Sequence, residues 1–162
     1  MPKRIYKIQG ISLGTASSNT RYGKKEDSLL VTLPQESILS GKFTSNKLKA
    51  APVKLAIENL SNSKKAKKVL LINAGNANAA TGPKGLKDVR KYCKEIALDF
   101  KTSQENVIPF STGVIGEPLA TENYLSAFRE ASKGLSENKW KKAAEAILTT
   151  DTKPKIISKE VK

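Results

Sequence analysis

Histidine is absent from this 162-residue chain, and cysteine occurs once, as Cys93. Without an imidazole, the chain cannot by itself run Ser-His-Asp or Cys-His catalysis, bind a metal through histidine or relay protons through a ring. A single thiol excludes an internal disulfide and a cysteine-based zinc cluster, so no metal is expected. Aromatic residues make up only 6%, which leaves the packing to aliphatic side chains. No stretch comes near the roughly 20 apolar residues needed to cross a bilayer. The opening MPKRIYKIQG alternates charged and apolar residues instead of building a secretory core. These absences predict a soluble, cytoplasmic protein.

What is present is a globular balance of 38% hydrophobic and 27% charged residues, enough for one domain with a real core. No repeat, low-complexity tract or long linker divides it, so residues 1–162 read as a single α/β domain. Lys and Arg number 29 against 15 Asp and Glu, a formal net charge of +14. Such an excess suits a nucleic acid, an acidic small molecule or an acidic partner chain. The lysines are spread along the sequence, with short clusters only at 64–68 and 139–142. The first reads as a solvated loop entering a strand, the second as the polar side of a helix. No aromatic RNA-binding run, zinc-finger spacing or recognition-helix pattern accompanies them. A basic nucleic-acid-binding domain therefore stands as the alternative reading.

Residues 1–26 are polar and broken by Gly10, Gly14 and Gly23, with Ile5, Ile8 and Ile11 hinting at short extended pieces. The run 27–33 (DSLLVTL) predicts a strand ended by Pro34. Residues 37–43 fit a second strand, or PQESIL a helical turn. A helix is expected over 49–60, with Pro52 in its first turn and Val53, Ala56, Ile57 and Leu60 on one face. Residues 68–73 (KVLLIN) suit a strand buried on both faces. A long helix over about 84–101 carries Leu86, Val89, Cys93, Ile96, Ala97 and Phe100 as its apolar stripe, and Cys93 reads as a small core residue. Another strand is expected at 107–111, where Pro109 points to an edge. Two further helices follow, one capped by Thr121 with Tyr124, Leu125 and Phe128, one capped by Asn138 with Trp140, Ala143, Ala144, Ile147 and Leu148. Ile156 and Ile157 begin what reads as a short strand.

Three segments offer chemistry. Residues 73–82 place three asparagines and two glycines after a buried strand, which serves either ligand contact or a tight strand-to-helix connection. The glycine spacing matches neither a Walker loop nor a dinucleotide fingerprint. Ser111, Thr112 and Gly113, with Gly116, combine a hydroxyl and an unhindered glycine N–H at a strand end. That pair can polarise a carbonyl oxygen, or form a turn whose hydroxyl satisfies its own backbone. Thr149, Thr150, Asp151 and Thr152 follow an alanine-rich helix, where a carboxylate opposes the helix dipole; the conflict suits a site or an Asx/Thr turn.

Taken together, FTSNKLKAAPV (43–53), INAGNANAATGPKGLKD (72–88), VIPFSTGVIGEPL (107–119) and AAEAILTTDTKPK (143–155) resemble the ornithine acetyltransferase (glutamate N-acetyltransferase) family, in the family's order. The resemblance implies a layered α/β sandwich of the ornithine acetyltransferase type, here incomplete. It implies an arginine-biosynthesis enzyme cut by its own chemistry into two chains of a hetero-oligomer. In that enzyme the new N-terminal threonine of the second, C-terminal β chain is the nucleophile and its α-amino group the base. That threonine carries the acetyl group from N-acetylornithine to glutamate, with acetyl-CoA as an alternative donor in some members and no other cofactor. By the same resemblance, Thr112 and Gly113 form the oxyanion hole, Thr149 contacts substrate, and residues 73–81 lie nearby. The family continues past the TTDT segment to a substrate-binding lysine and the cleavage-site threonine. The sequence stops at Lys162, before both, so the nucleophile is expected on another chain. A fragment inactive alone, or one that is purely structural, follows from that expectation.

Overall fold

A computed structural model describes residues 4–161. In chain order the elements are β1 (Ser12–Ala16), β2 (Ser28–Leu33), α1 (Ala51–Ser61), β3 (Lys68–Asn76), α2 (Gly82–Asp99), a 3-10 turn (Gln104–Asn106), β4 (Val107–Val114), α3 (Thr121–Lys133) and α4 (Trp140–Ala146). The strands form one sheet in the order β1-β2-β3-β4. The first two pairings are antiparallel and β3–β4 is parallel, connected through α2.

Alternation along the strands sends side chains to two unequal cores. One face packs Ala16, Leu30, Val69, Leu71 and Val107 against α1, α2 and α3, through Leu55, Val89, Tyr92, Cys93, Ile96, Tyr124 and Phe128. The other packs Leu13, Leu29 and Val31 against Ala143 and Ala146 of the short α4, with Trp140 alongside. The sheet is therefore thickly covered on one side. On the other, α4 lies over β1 and β2, away from β4.

The mixed α/β class and all four helices match the sequence expectation, as do β2, β3 and β4; the differences are physical. β1 was hidden among polar residues and glycines. Its Gly14 is needed because a Cβ there would lie 2.0 Å from the Ala131 carbonyl oxygen of α3. Residues 34–50 form neither strand nor helix, only a turn at Gln35 and Glu36. The buried face of α1 is Ala51, Pro52, Leu55, Ala56 and Asn59, one position off the predicted stripe. The polar Asn59 belongs inside because its Nδ2 donates to the carbonyls of Gln104 (3.1 Å) and Val107 (2.7 Å). Neither α3 nor α4 begins with the predicted side-chain cap: the cap positions are Ala120 and Lys139. Residues 156–157 lie in irregular chain. No described helix is long and apolar enough to cross a membrane.

Candidate active site

Both parallel strands run further than their apolar cores suggested. Asn73, Ala74, Gly75 and Asn76 of β3 pair in register with Ser111, Thr112, Gly113 and Val114 of β4. Small and amide residues have weak strand propensity alone, but here each segment supplies the other's ladder. Gly75 and Gly113 face one another with φ of +101° and +131°, and a Cβ on Gly113 would fall 2.3 Å from the Gly75 carbonyl carbon. Only glycine lets the two backbones approach this closely.

That pairing orients the Gly113 amide. Ala77 N–H donates to the Val114 carbonyl at 2.9 Å, so Val114 faces β3. Strand alternation then directs the Gly113 N–H away from β3, to the side of β4 that no strand covers. The Thr112 side chain, two residues beyond Phe110, lies on the thinly covered face and is half-buried. Among the described residues no hydrogen bond engages its hydroxyl. A hydroxyl and a neighbouring amide hydrogen thus stand at one open corner of the sheet.

The asparagines behind this corner are scaffold. Asn73 Nδ2 donates to the Asn76 carbonyl (2.7 Å), and its Oδ1 accepts from Ser111 Oγ (2.6 Å). Asn76 Nδ2 donates to the carbonyls of Glu117 (3.2 Å) and Pro118 (3.1 Å). Asn78 Nδ2 donates to the Gly85 carbonyl, and its Oδ1 accepts from Thr81. All three are buried, with their amides committed to neighbouring backbone and side chains.

Thr149 lies just past α4, which ends at Ala146, and is half-buried. Lys25, in the β1–β2 connection, donates to the adjacent Leu148 carbonyl at 3.3 Å. This connection and the C-terminal ends of β3 and β4 share one end of the sheet, because Ser28 pairs with Asn73. Thr149 and Thr112 therefore occupy the same end, with no hydrogen bond between them. Asp151 sits beyond the last helical turn, where no dipole conflict arises, and pairs with Lys155 at 2.5 Å.

Two features escaped the sequence reading because they join residues far apart in the chain. Arg21 Nη2 donates to both carboxylate oxygens of Glu117, each at 2.7 Å, and the pairing raises the arginine's pKa. Beneath it, buried Asp27 accepts from the N–H and Oγ of Ser18 (2.8 and 2.6 Å), and the Tyr124 hydroxyl donates to the Ala74 carbonyl at 3.0 Å. Burial pushes the Tyr124 phenol up, so it stays a donor at neutral pH. Among the described residues no group of three His, Cys, Asp or Glu side chains is placed to hold a metal ion.

The family model described as the ArgJ family matches residues 12–162. The chain belongs to the ArgJ family. Among ArgJ relatives, the arginine biosynthesis bifunctional protein of Methylococcus capsulatus is 43% identical over 152 residues, covering 94% of this chain and 36% of that protein. The Colwellia psychrerythraea protein of the same name is 37% identical, covering all of this chain and 40% of the relative. This ArgJ chain thus corresponds to the N-terminal portion of such proteins and spans about two fifths of their length. Two solved ArgJ-type structures share the fold. The ornithine acetyltransferase of Mycobacterium tuberculosis, complexed with ornithine, superposes with a TM-score of 0.81 at 26% identity, over 89% of this chain and 78% of that one. The bifunctional protein of Bacillus halodurans gives 0.78 at 28% identity, over 92% and 81%.

Proposed function

We propose that this chain forms the N-terminal part of a cytoplasmic glutamate N-acetyltransferase of arginine biosynthesis, which moves an acetyl group from N2-acetylornithine to glutamate. One juxtaposition carries the reading: in a member of the ArgJ family, the Thr112 hydroxyl and the Gly113 N–H adjoin at the uncovered edge of β4. In this proposal a C-terminal β chain brings a threonine whose free α-amino group takes the hydroxyl proton. The threonine oxygen attacks the acetyl carbonyl, and the displaced electron pair moves onto the carbonyl oxygen. Thr112 and Gly113 donate to that oxyanion, where preorganised hydrogen bonds act most strongly. Collapse breaks the C–N bond, and ornithine leaves with the proton held by the α-ammonium. The amine of glutamate then attacks the acetyl ester by the reverse sequence, and Thr149 contacts the bound amino acid. The acetyl group rides on the enzyme's own threonine, so no cofactor is needed, and acetyl-CoA suits the same ester chemistry as an alternative donor. The positive charge of the chain favours both an anionic substrate and an acidic partner.

Co-expression with the C-terminal portion tests the reading, assayed as acetyl transfer from N-acetylornithine to glutamate. Thr112→Val is expected to lower kcat on the order of a hundredfold, about 2.7 kcal/mol. Thr149→Ala is expected to raise KM. Normal turnover by both variants would overturn the site.

A further inference from the structure

We infer that Asn76 is a positioning residue for the Thr112–Gly113 donor pair, acting through the β4–α3 connection and not on substrate. The inference rests on the acetyl-transfer reading above. Asn76 pairs in register with Val114, the residue that follows Gly113. From this position its side chain crosses to the far end of the turn leaving β4, where Nδ2 donates to the carbonyls of Glu117 and Pro118. Its Oδ1 meanwhile accepts the Asn78 N–H at 2.7 Å, and its backbone carbonyl accepts Asn73 Nδ2. The turn is therefore gripped at both ends, by the Ala77 N–H on the Val114 carbonyl at its start and by the Asn76 side chain on 117–118 at its close. Midway, Gly116 N–H donates to the Ala79 carbonyl (2.9 Å), and from outside Arg21 holds the Glu117 carboxylate.

These contacts surround a weak point. Gly113 has no side chain to anchor it, and its N–H faces the open edge, so its direction depends on the peptides either side. The preceding peptide is set by the ladder with β3. The following one carries the last rung of that ladder, Val114 on Ala77, and the turn that Asn76 closes begins directly after it. Because every polar group of the Asn76 side chain is already engaged and the residue is 7% exposed, it has nothing to offer a substrate. Its chemistry is specific to an amide. An aspartate would turn an oxygen toward two carbonyl oxygens and could donate to neither.

The experiment uses the complete two-part enzyme, with kcat, KM and thermal midpoint measured for the parent, Asn76→Asp, Asn76→Ser, Thr112→Val and the corresponding double variants. Asn76→Ser removes the bridge without burying a charge, so it reports even where Asn76→Asp does not fold. A displacement of the donors predicts a kcat at least about tenfold lower, approaching a hundredfold, with KM held within about twofold. It also predicts strong non-additivity: once Thr112→Val has weakened the donor pair, removing the bridge costs much less. An unchanged kcat, a parallel rise in KM or full additivity with Thr112→Val would overturn the inference. Thr112→Val alone checks the underlying reading. Parental turnover in that variant removes the donor assignment itself, and with it any role for Asn76 in aiming the donors.

Discussion

Cys93 and Tyr92 sit side by side on α2, both fully buried, and burial pushes both acids well above their ordinary values of 9.0 and 10.0. The consequence is a stability that depends on alkaline pH. Below pH 9 both states of the chain hold the thiol proton, and the group contributes its full stability. As pH rises past 9, the unfolded chain releases that proton while the folded one cannot, so stability falls by about 1.4 kcal/mol per pH unit for this group. Tyr92 adds a similar loss beginning near 10. Urea unfolding at a series of pH values should therefore give a curve for the parent that drops faster above pH 9 than that of Cys93→Ala. Parallel curves would show that the thiol ionises freely in the fold. Neither residue takes part in the chemistry proposed for β4, and the reading of Cys93 as a core residue from its helical spacing agrees with its position.

At the scale of elements, β4 depends on α1 for its starting point. Asn59 holds the carbonyls of Gln104 and Val107, while Asn106 Oδ1 accepts from Ser63 Oγ (2.8 Å) and the Lys64 N–H (3.0 Å). These bonds fix where the strand enters the sheet and hence which residue arrives opposite Gly75. Asn59→Ala leaves the buried Val107 carbonyl and the half-buried Gln104 carbonyl without their amide donor and is expected to cost about 2 kcal/mol in chemical unfolding. A loss below about 0.5 kcal/mol would mean that water replaces the amide there. No spacing rule reveals this contact, because the predicted stripe of α1 counted apolar residues and the decisive one is an amide. β1 was obscured for a related reason. Its Gly14 and Ala16 carry little strand signal, and the pairing with β2 and the approach of α3 supply what propensity does not.

Across the whole molecule, the positive charge is dispersed. Arg21, Lys84, Arg90, Lys91 and Arg129 pair with acidic side chains at separate places on the surface, and buried Lys68 donates to the carbonyls of Lys64 and Ala66 to close a turn. The cluster at 64–68 is thus partly structural. The uneven coverage of the sheet is more telling. Phe110 is 42% exposed on the face that α4 leaves open, two residues before Thr112. In the proposed enzyme the second chain covers this face when it delivers its threonine. Phe110→Glu is then expected to change the stability of this chain by no more than about 1 kcal/mol, yet to abolish co-purification with the C-terminal portion. Intact co-purification would place the second chain elsewhere.

Local pattern by itself determined the helices and the apolar strand cores, since each rests on periodicity or composition within a short window, while the four ordered segments carry the resemblance to the family. It also marked Thr112, Gly113 and Thr149 as candidates. Only the tertiary structure decided that residues 73–76 and 111–114 continue as strands, that the asparagines among them are spent on carbonyls, and that the Gly113 amide faces an open edge. The physical reason is that hydrogen-bond partners more than about thirty residues apart, such as Asn76 with Glu117 and Arg21 with the same residue, meet only after the sheet has formed. The direction in which a backbone N–H points is set by the strand beside it, whatever the side chain.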